Sequence, residues 1–190
     1  MRTVIYSMSV SLDGFIAGPG DDIGWTAPDE ELFRFHVEQT PHIGVELMGR
    51  KLYEAMLVWG DPGAAPSGPD ELEFARIWNA IPKVVFSTTL EQVQGNARLA
   101  SDDVVDEVAR LREAPGEGVI SVGGAGLAST LIKLDLIDEY RLFINPVVLG
   151  SGTPYFPPLD KQVPLELIEN SLGFQVVEDY LTRIEHGVYQ

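Results

Sequence analysis

Four short runs rich in β-branched and apolar residues, 3–12, 43–48, 83–87 and 118–122, each stop at a glycine, a hydroxyl cluster or an Asp-Gly pair. Runs of this length, bounded by turn residues, read as buried strands. The segments between them have helical spacing. Residues 29–40 place acids in the first turn and Leu32, Phe33, His36 and Val37 on one periodic face. Residues 50–57, 71–80 and 125–133 read as further helices. Residues 102–112 open on acids and close on arginines, which suits the helix dipole. The stretch 61–69 is Gly/Pro/Ala-rich and reads as an exposed loop. A strand follows at 139–145, a turn at 150–154, and a closing antiparallel pair at 165–170 and 174–185. Strands alternating with helices imply a mostly parallel sheet covered on both faces. The expected fold is therefore a three-layer α/β/α domain over residues 1–190, with an antiparallel C-terminal edge.

Composition excludes several functions. There is no cysteine among the 190 residues, so disulfides, thiolate metal sites and cysteine nucleophiles are ruled out. The net charge of −16 is spread over both halves, with no basic face to track a phosphodiester backbone. Nucleic acid and anionic membranes are not expected partners. No apolar run approaches the ~20 residues of a membrane span, and the N-terminus lacks a signal-peptide pattern. A cytoplasmic location is expected. His36, His42 and His186 do not have metal-ligand spacing, so no metal is expected.

Three junctions carry the chemical signal. Ile120-Ser121-Val122-Gly123-Gly124-Ala125-Gly126 runs from a strand through glycines into a helix. Missing Cβ atoms let a ligand lie against such a backbone, and the helix start offers free N–H groups to a phosphate. A bare β-to-α turn would have the same sequence. Met48-Gly49-Arg50-Lys51 places two cations at a helix start, where cations are unfavourable unless an anion is near; two solvated surface cations are the plain alternative. Phe86-Ser87-Thr88-Thr89 clusters hydroxyls at a strand end, as capping residues also do. Each junction follows a strand, so all three are expected on one edge of the sheet, together forming a cradle for a phosphorylated dinucleotide.

The ordered motifs resemble the dihydrofolate reductase-like superfamily. The closest resemblance is to the C-terminal reductase domain of the bifunctional riboflavin-biosynthesis deaminase/reductase and its stand-alone relatives. The residues that carry it are Ser9-Val10-Ser11-Leu12-Asp13-Gly14-Phe15-Ile16-Ala17, Met48-Gly49-Arg50-Lys51-Leu52-Tyr53-Glu54, Lys83-Val84-Val85-Phe86-Ser87 and Val122-Gly123-Gly124-Ala125, and the longest stretch is 131–156. The resemblance implies NADPH binding, with NADH as a possible substitute. Ile16, Ala17 and Gly18 match the segment over the nicotinamide. Gly49, Arg50 and Lys51 match the helix start that holds the adenosine-side phosphates, and Ser87 and Thr88 the strand end near the 2′-phosphate. Val122, Gly123, Gly124, Ala125 and Gly126 match the pyrophosphate turn, where the family has a cis Gly–Gly peptide. Close relatives often carry an arginine where this chain has Thr88, which implies a weakened preference for NADPH unless Arg50, Lys51 or Arg98 compensates. The resemblance also implies a homodimer joined through the C-terminal strands.

On the substrate side, Asp29, Glu30 and Glu31 stand where folate-reducing members have an acid on the first helix, and Asp13 recurs near the site in riboflavin-type relatives. As local chemistry, the first three suit a helix N-terminus and Asp13 an Asp-Gly turn. Trp25, Phe33, Trp59 and Tyr155 are candidate aromatic walls, with core packing as the default. The combined reading is an NAD(P)H-dependent reductase passing hydride to a C=N or C=O bond of a small pterin- or aminopyrimidine-like heterocycle. The alternative is a non-catalytic NADP(H)-binding sensor or scaffold; a third reading, a flavin protein using the same cleft, would show as a yellow sample.

Overall fold

The computed structural model describes residues 1–61, 68–172 and 177–183. Ten strands and five helices follow in the order β1 (Val4–Ser11), β2 (Phe15–Ala17), α1 (Glu30–Gln39), β3 (Ile43–Gly49), α2 (Arg50–Met56), α3 (Pro69–Ala80), β4 (Lys83–Phe86), β5 (Ala97–Leu99), α4 (Val104–Glu113), β6 (Val119–Gly123), α5 (Ala125–Lys133), β7 (Glu139–Asn145), β8 (Thr153–Pro154), β9 (Leu165–Leu172) and β10 (Val177–Arg183). Eight strands form one sheet in the order β5-β4-β3-β6-β1-β7-β10-β9. The six from β5 to β7 are mutually parallel; β10 runs antiparallel to both β7 and β9. This is the expected mostly parallel sheet with an antiparallel C-terminal edge.

Helix starts follow local chemistry. The Asp29 carboxylate accepts the N–H of Leu32 at 2.8 Å and caps α1. Asp103 does the same for α4 by accepting from Val105 and Asp106. One face of the sheet packs Val4, Tyr6, Val45, Leu47, Val84, Ile120 and Val122 under α4 and α5, which contribute Val108, Ala128, Leu131 and Ile132. The opposite face packs Met48 and Val85 under Tyr53 of α2 and Trp78 of α3.

Three short strands escaped the sequence reading. β5 has three residues, only one turn of periodicity. β2 and β8 pair with each other outside the main sheet, Ala17 opposite Thr153, and so convert part of the expected 150–154 turn into a ladder. The 61–69 loop falls mostly outside the described residues. The expected cis Gly123–Gly124 bond is not found: the described peptide bonds are all trans, and the chain reverses instead through Gly124 at φ 90°.

Candidate functional site: one rim of the parallel sheet

Strand direction gathers the three junctions. Met48 pairs with Val85 on one side and Gly123 on the other, and Gly49 pairs with Phe86. The carboxyl ends of β3, β4 and β6 therefore stand level on one rim, where ligands bind in open parallel sheets. The end of β1 lies on the same rim, because β1 runs parallel to β6 and β7.

At the centre of the rim, α5 begins after Gly124 with no side-chain cap. Its first intrahelical bond is Ala128 N–H to the Gly124 carbonyl, so the N–H groups before it are left for another acceptor. A Cβ on Gly126 would meet nothing within 4 Å, nor would one on Gly49. Gly123 differs: a Cβ there would stand 2.3 Å from Leu52 Cδ2 and 2.9 Å from Glu46 Oε1. Val122 is buried on the α5 side of the sheet.

The two cations carry partners. Arg50 pairs with Glu54 at 3.5 Å and Lys51 with Asp21 at 2.7 Å, all four side chains well exposed. Exposed pairs of this kind contribute about 0–1 kcal/mol, so a phosphate can displace them. The Ser87 hydroxyl accepts from the N–H groups of Thr89 and Leu90 and shapes its own loop, while Thr88 is exposed. Arg98 is not available to compensate for Thr88, because it binds the fully buried Glu107 together with Arg110.

The flank of the rim is built from β2. Ile16 and Ala17 are buried, and the Gly18 N–H donates to the Asp22 carbonyl at 2.7 Å. Gly152 lies against this segment at φ 145°, where a Cβ would stand 2.0 Å from the Ala17 oxygen.

The proposed acids divide. Asp13 accepts from the Ser11 hydroxyl at 2.7 Å, from Leu149 N–H at 3.1 Å and from Gly150 N–H at 2.7 Å. These donors, Ser11 first, hold its carboxyl below the usual aspartate range. A carboxylate kept ionised in this way staples its loop to residues 149 and 150. Glu30 is exposed on the first turn of α1, as the helix dipole favours. Asp29 is half-buried and spends one oxygen on its cap. Of the aromatic candidates, Phe33 is half-buried and packs between α1 and α3, 6.2 Å from Trp59 and 5.8 Å from Phe74. Trp25 is half-buried, and its indole N–H donates to the Asp22 carbonyl.

Other residues emerge only from the register. Ser7 and Ser9 lie on β1, beside Arg141 and Phe143 of β7. β1 is interior to the sheet, yet both serines are only half-buried. His36 of α1 sits edge-on to Phe143 at 4.9 Å, and burial pushes its imidazole toward the neutral form. Asp29 and His36 are seven residues apart and share one face of α1. The alternation Ser7-Met8-Ser9-Val10-Ser11 was the available signal: a polar face on a strand read as buried.

Glu46, Lys83 and Ser121 form a buried polar row beneath this rim, at 4%, 8% and 9% exposure. Glu46 pairs in register with both others. Burial raises its carboxyl to about 7, against a Ser121 hydrogen bond and the Lys83 charge. Burial lowers the Lys83 ammonium to about 8. It donates to the carbonyls of Trp78 and Ile81.

The RibD C-terminal domain model matches residues 2–173. The chain belongs to this family. It is 34% identical over 169 residues to the uncharacterized protein YyaP of Bacillus subtilis (strain 168), covering 88% of this chain and 87% of that protein. Among solved structures it resembles a candidate riboflavin biosynthesis protein of Shewanella sp. PV-4, with TM-score 0.76 and 23% identity, over 97% of this chain and 100% of the other. It also resembles the dihydrofolate reductase of Enterococcus faecalis, solved with NADP(H), with TM-score 0.64 and 18% identity, over 96% and 97%. The fold is thus dihydrofolate reductase-like and reductase-like in kind, as the motif order implied. No helix of the described residues is long and apolar enough to cross a membrane.

Proposed function

We propose that this protein is an NAD(P)H-dependent reductase of a small heterocyclic substrate. The observation that carries the reading is the level register of β3, β4 and β6, which puts Gly49, Ser87 and Gly123–Gly124 on one rim. The residues present suit a dinucleotide. The uncapped start of α5 offers N–H groups to a diphosphate, Arg50 and Lys51 offer charge from weakly held pairs, and the space beside Gly49 and Gly126 is open. A reduced nicotinamide supplies the hydride.

The chain's part is positioning and proton handling. Buried Ile16 and Ala17 keep water from the β2 side, and Asp13 ties this segment to Leu149 and Gly150. The half-buried face of β1 at Ser7 and Ser9, next to the β7 residue Phe143 that His36 of α1 touches, is the substrate half. Its hydroxyls, Arg141, and the Asp29–His36 face of α1 provide donors and acceptors for a polar ring edge such as a pterin or aminopyrimidine. Asp29 is the acid placed to protonate such a ring. Both coenzymes are expected to bind, because Thr88 offers no charge to a 2′-phosphate.

The experiment is calorimetric titration with NADPH and NADH, followed by NADPH oxidation against dihydrofolate, dihydropteridines and aminopyrimidine ribosides. Micromolar uptake and turnover of one substrate is the expected result; no uptake of either coenzyme by folded protein refutes the reading. A sensor is the second reading, favoured by the engagement of Asp13 as a staple and of Asp29 as a cap. Tight uptake with no turnover on any substrate would select it.

A further inference from the structure

We infer that Glu46 is a positioning residue for the coenzyme turn, bracing Gly123 from beneath and coupling coenzyme uptake to a proton. The inference rests on the coenzyme reading above. Its ground is contact geometry: Glu46 Oε1 stands 2.9 Å from where an ideal Cβ on Gly123 would lie, too close for any side chain there. Leu52 of α2 closes over the same spot at 2.3 Å. The glycine therefore admits a carboxyl group against the backbone that leads into α5. Gly123 is the last residue of β6, and Gly124 makes the reversal.

The groups that face Glu46 are few. β4 presents the Lys83 ammonium, held by the Trp78 and Ile81 carbonyls and itself lowered by burial to about 8, so the two groups titrate as a pair. β6 presents the Ser121 hydroxyl, a hydrogen-bond partner of the carboxyl. α2 presents the apolar Leu52, while its charged residues Arg50 and Lys51 are in exposed pairs with Glu54 and Asp21. On β1 the register neighbour of Ser121 is the apolar Ile5. Buried at 4% exposure, Glu46 is shielded from water that would otherwise screen its charge.

The sign follows from charge. The coenzyme brings an anionic diphosphate to the turn, and an ionised Glu46 opposes it. The complex favours the protonated carboxyl, so binding raises its pKa above the value near 7 in the free protein. Affinity is then full below pH 7 and falls as the pH rises through that range. A one-unit rise on binding corresponds to about a fivefold loss of affinity between pH 6 and pH 8.

The test uses NADH, whose diphosphate does not titrate here, whereas the 2′-phosphate of NADPH titrates near pH 6. Dissociation constants are measured at intervals from pH 6 to pH 8 for the wild type and Glu46→Gln. The wild type is expected to weaken about fivefold and Glu46→Gln by less than half as much, any residual slope being that of the Lys83 ammonium, which burial lowers to about 8. A merely structural role would weaken the variant at every pH without flattening its profile. A flat wild-type profile, or an unchanged slope in Glu46→Gln, overturns the inference while leaving the coenzyme reading intact. Failure of the folded wild type to take up either coenzyme at pH 6 overturns both. Should Glu46→Gln not fold, the Glu46 carboxyl is titrated by carbon NMR in the wild type with and without NADH; an unchanged midpoint refutes the coupling.

Discussion

Tyr6 and Tyr155 allow the same chemical change with opposite expected outcomes. Their rings stand 4.3 Å apart in one core. The Tyr155 hydroxyl donates to the Tyr6 carbonyl at 2.9 Å. The Tyr6 hydroxyl is buried with no partner among the described residues, and burial alone drives its pKa far up. An unsatisfied buried hydroxyl costs about 1–3 kcal/mol of desolvation. Tyr6→Phe removes that cost and leaves a gap the size of one oxygen, so a net gain of about 1 kcal/mol is expected. Tyr155→Phe instead loses a buried bond and should destabilise by about 1 kcal/mol. For a domain of this length each corresponds to about 2–4 °C in Tm, upward for Tyr6→Phe and downward for Tyr155→Phe. Thermal and urea unfolding followed by circular dichroism measure both, with an unchanged urea slope confirming that the native state is the one altered. A fall of 2 °C or more in Tyr6→Phe would refute the reasoning, since it would mean that the hydroxyl is bonded in solution.

Gly152→Ala should destabilise by about 2 kcal/mol or more and weaken coenzyme uptake. Its Cβ would stand 2.0 Å from the Ala17 oxygen at φ 145°, which forces β2 and β8 apart; native-like Tm and affinity would exclude this. Thr88→Arg should raise the NADPH-over-NADH ratio of kcat/KM about tenfold, or ~1.4 kcal/mol, by adding a charged partner for the 2′-phosphate; an unchanged ratio would place that phosphate elsewhere. Asp29→Ala should lower kcat and lose the α1 cap, costing about 1 kcal/mol of stability, whereas Asp29→Asn should keep the cap and still lose turnover. Equal turnover in Asp29→Asn and wild type would remove Asp29 from proton transfer. Asp13 should contribute stability at neutral pH that is lost as acid protonates it, because its folded pKa is depressed; Asp13→Asn should show a flatter acid limb in urea titrations.

The strands β1, β3, β4, β6 and β7 and all five helices were legible because each is long enough to carry its own periodicity or is bounded by turn and cap residues. Asp29 and Asp103 announce α1 and α4 by residue type alone. Parallel pairing followed from strand–helix alternation, and with it the placing of three junctions on one rim. Short β2, β5 and β8 were not legible, since two or three residues hold no period and their partners are distant in sequence. The roles of individual side chains were also hidden. Asp13 and Asp29 have the same functional group, yet one is saturated by donors from residues 149 and 150 and the other caps its own helix. Phe33 has helical spacing that does not name its neighbours, and only the tertiary structure sets it against Trp59 and Phe74.

Local sequence therefore settled the longer strands and the helices, and which strand ends carry glycine, cation or hydroxyl, because those preferences act within a few residues of chain. Tertiary structure alone settled that Glu46, Lys83 and Ser121 form a buried row and that Ser7 and Ser9 stand half-buried beside Arg141 and Phe143. These side chains come from strands far apart in sequence. Their burial, and with it their acidity and bonding, depends on which strands become neighbours.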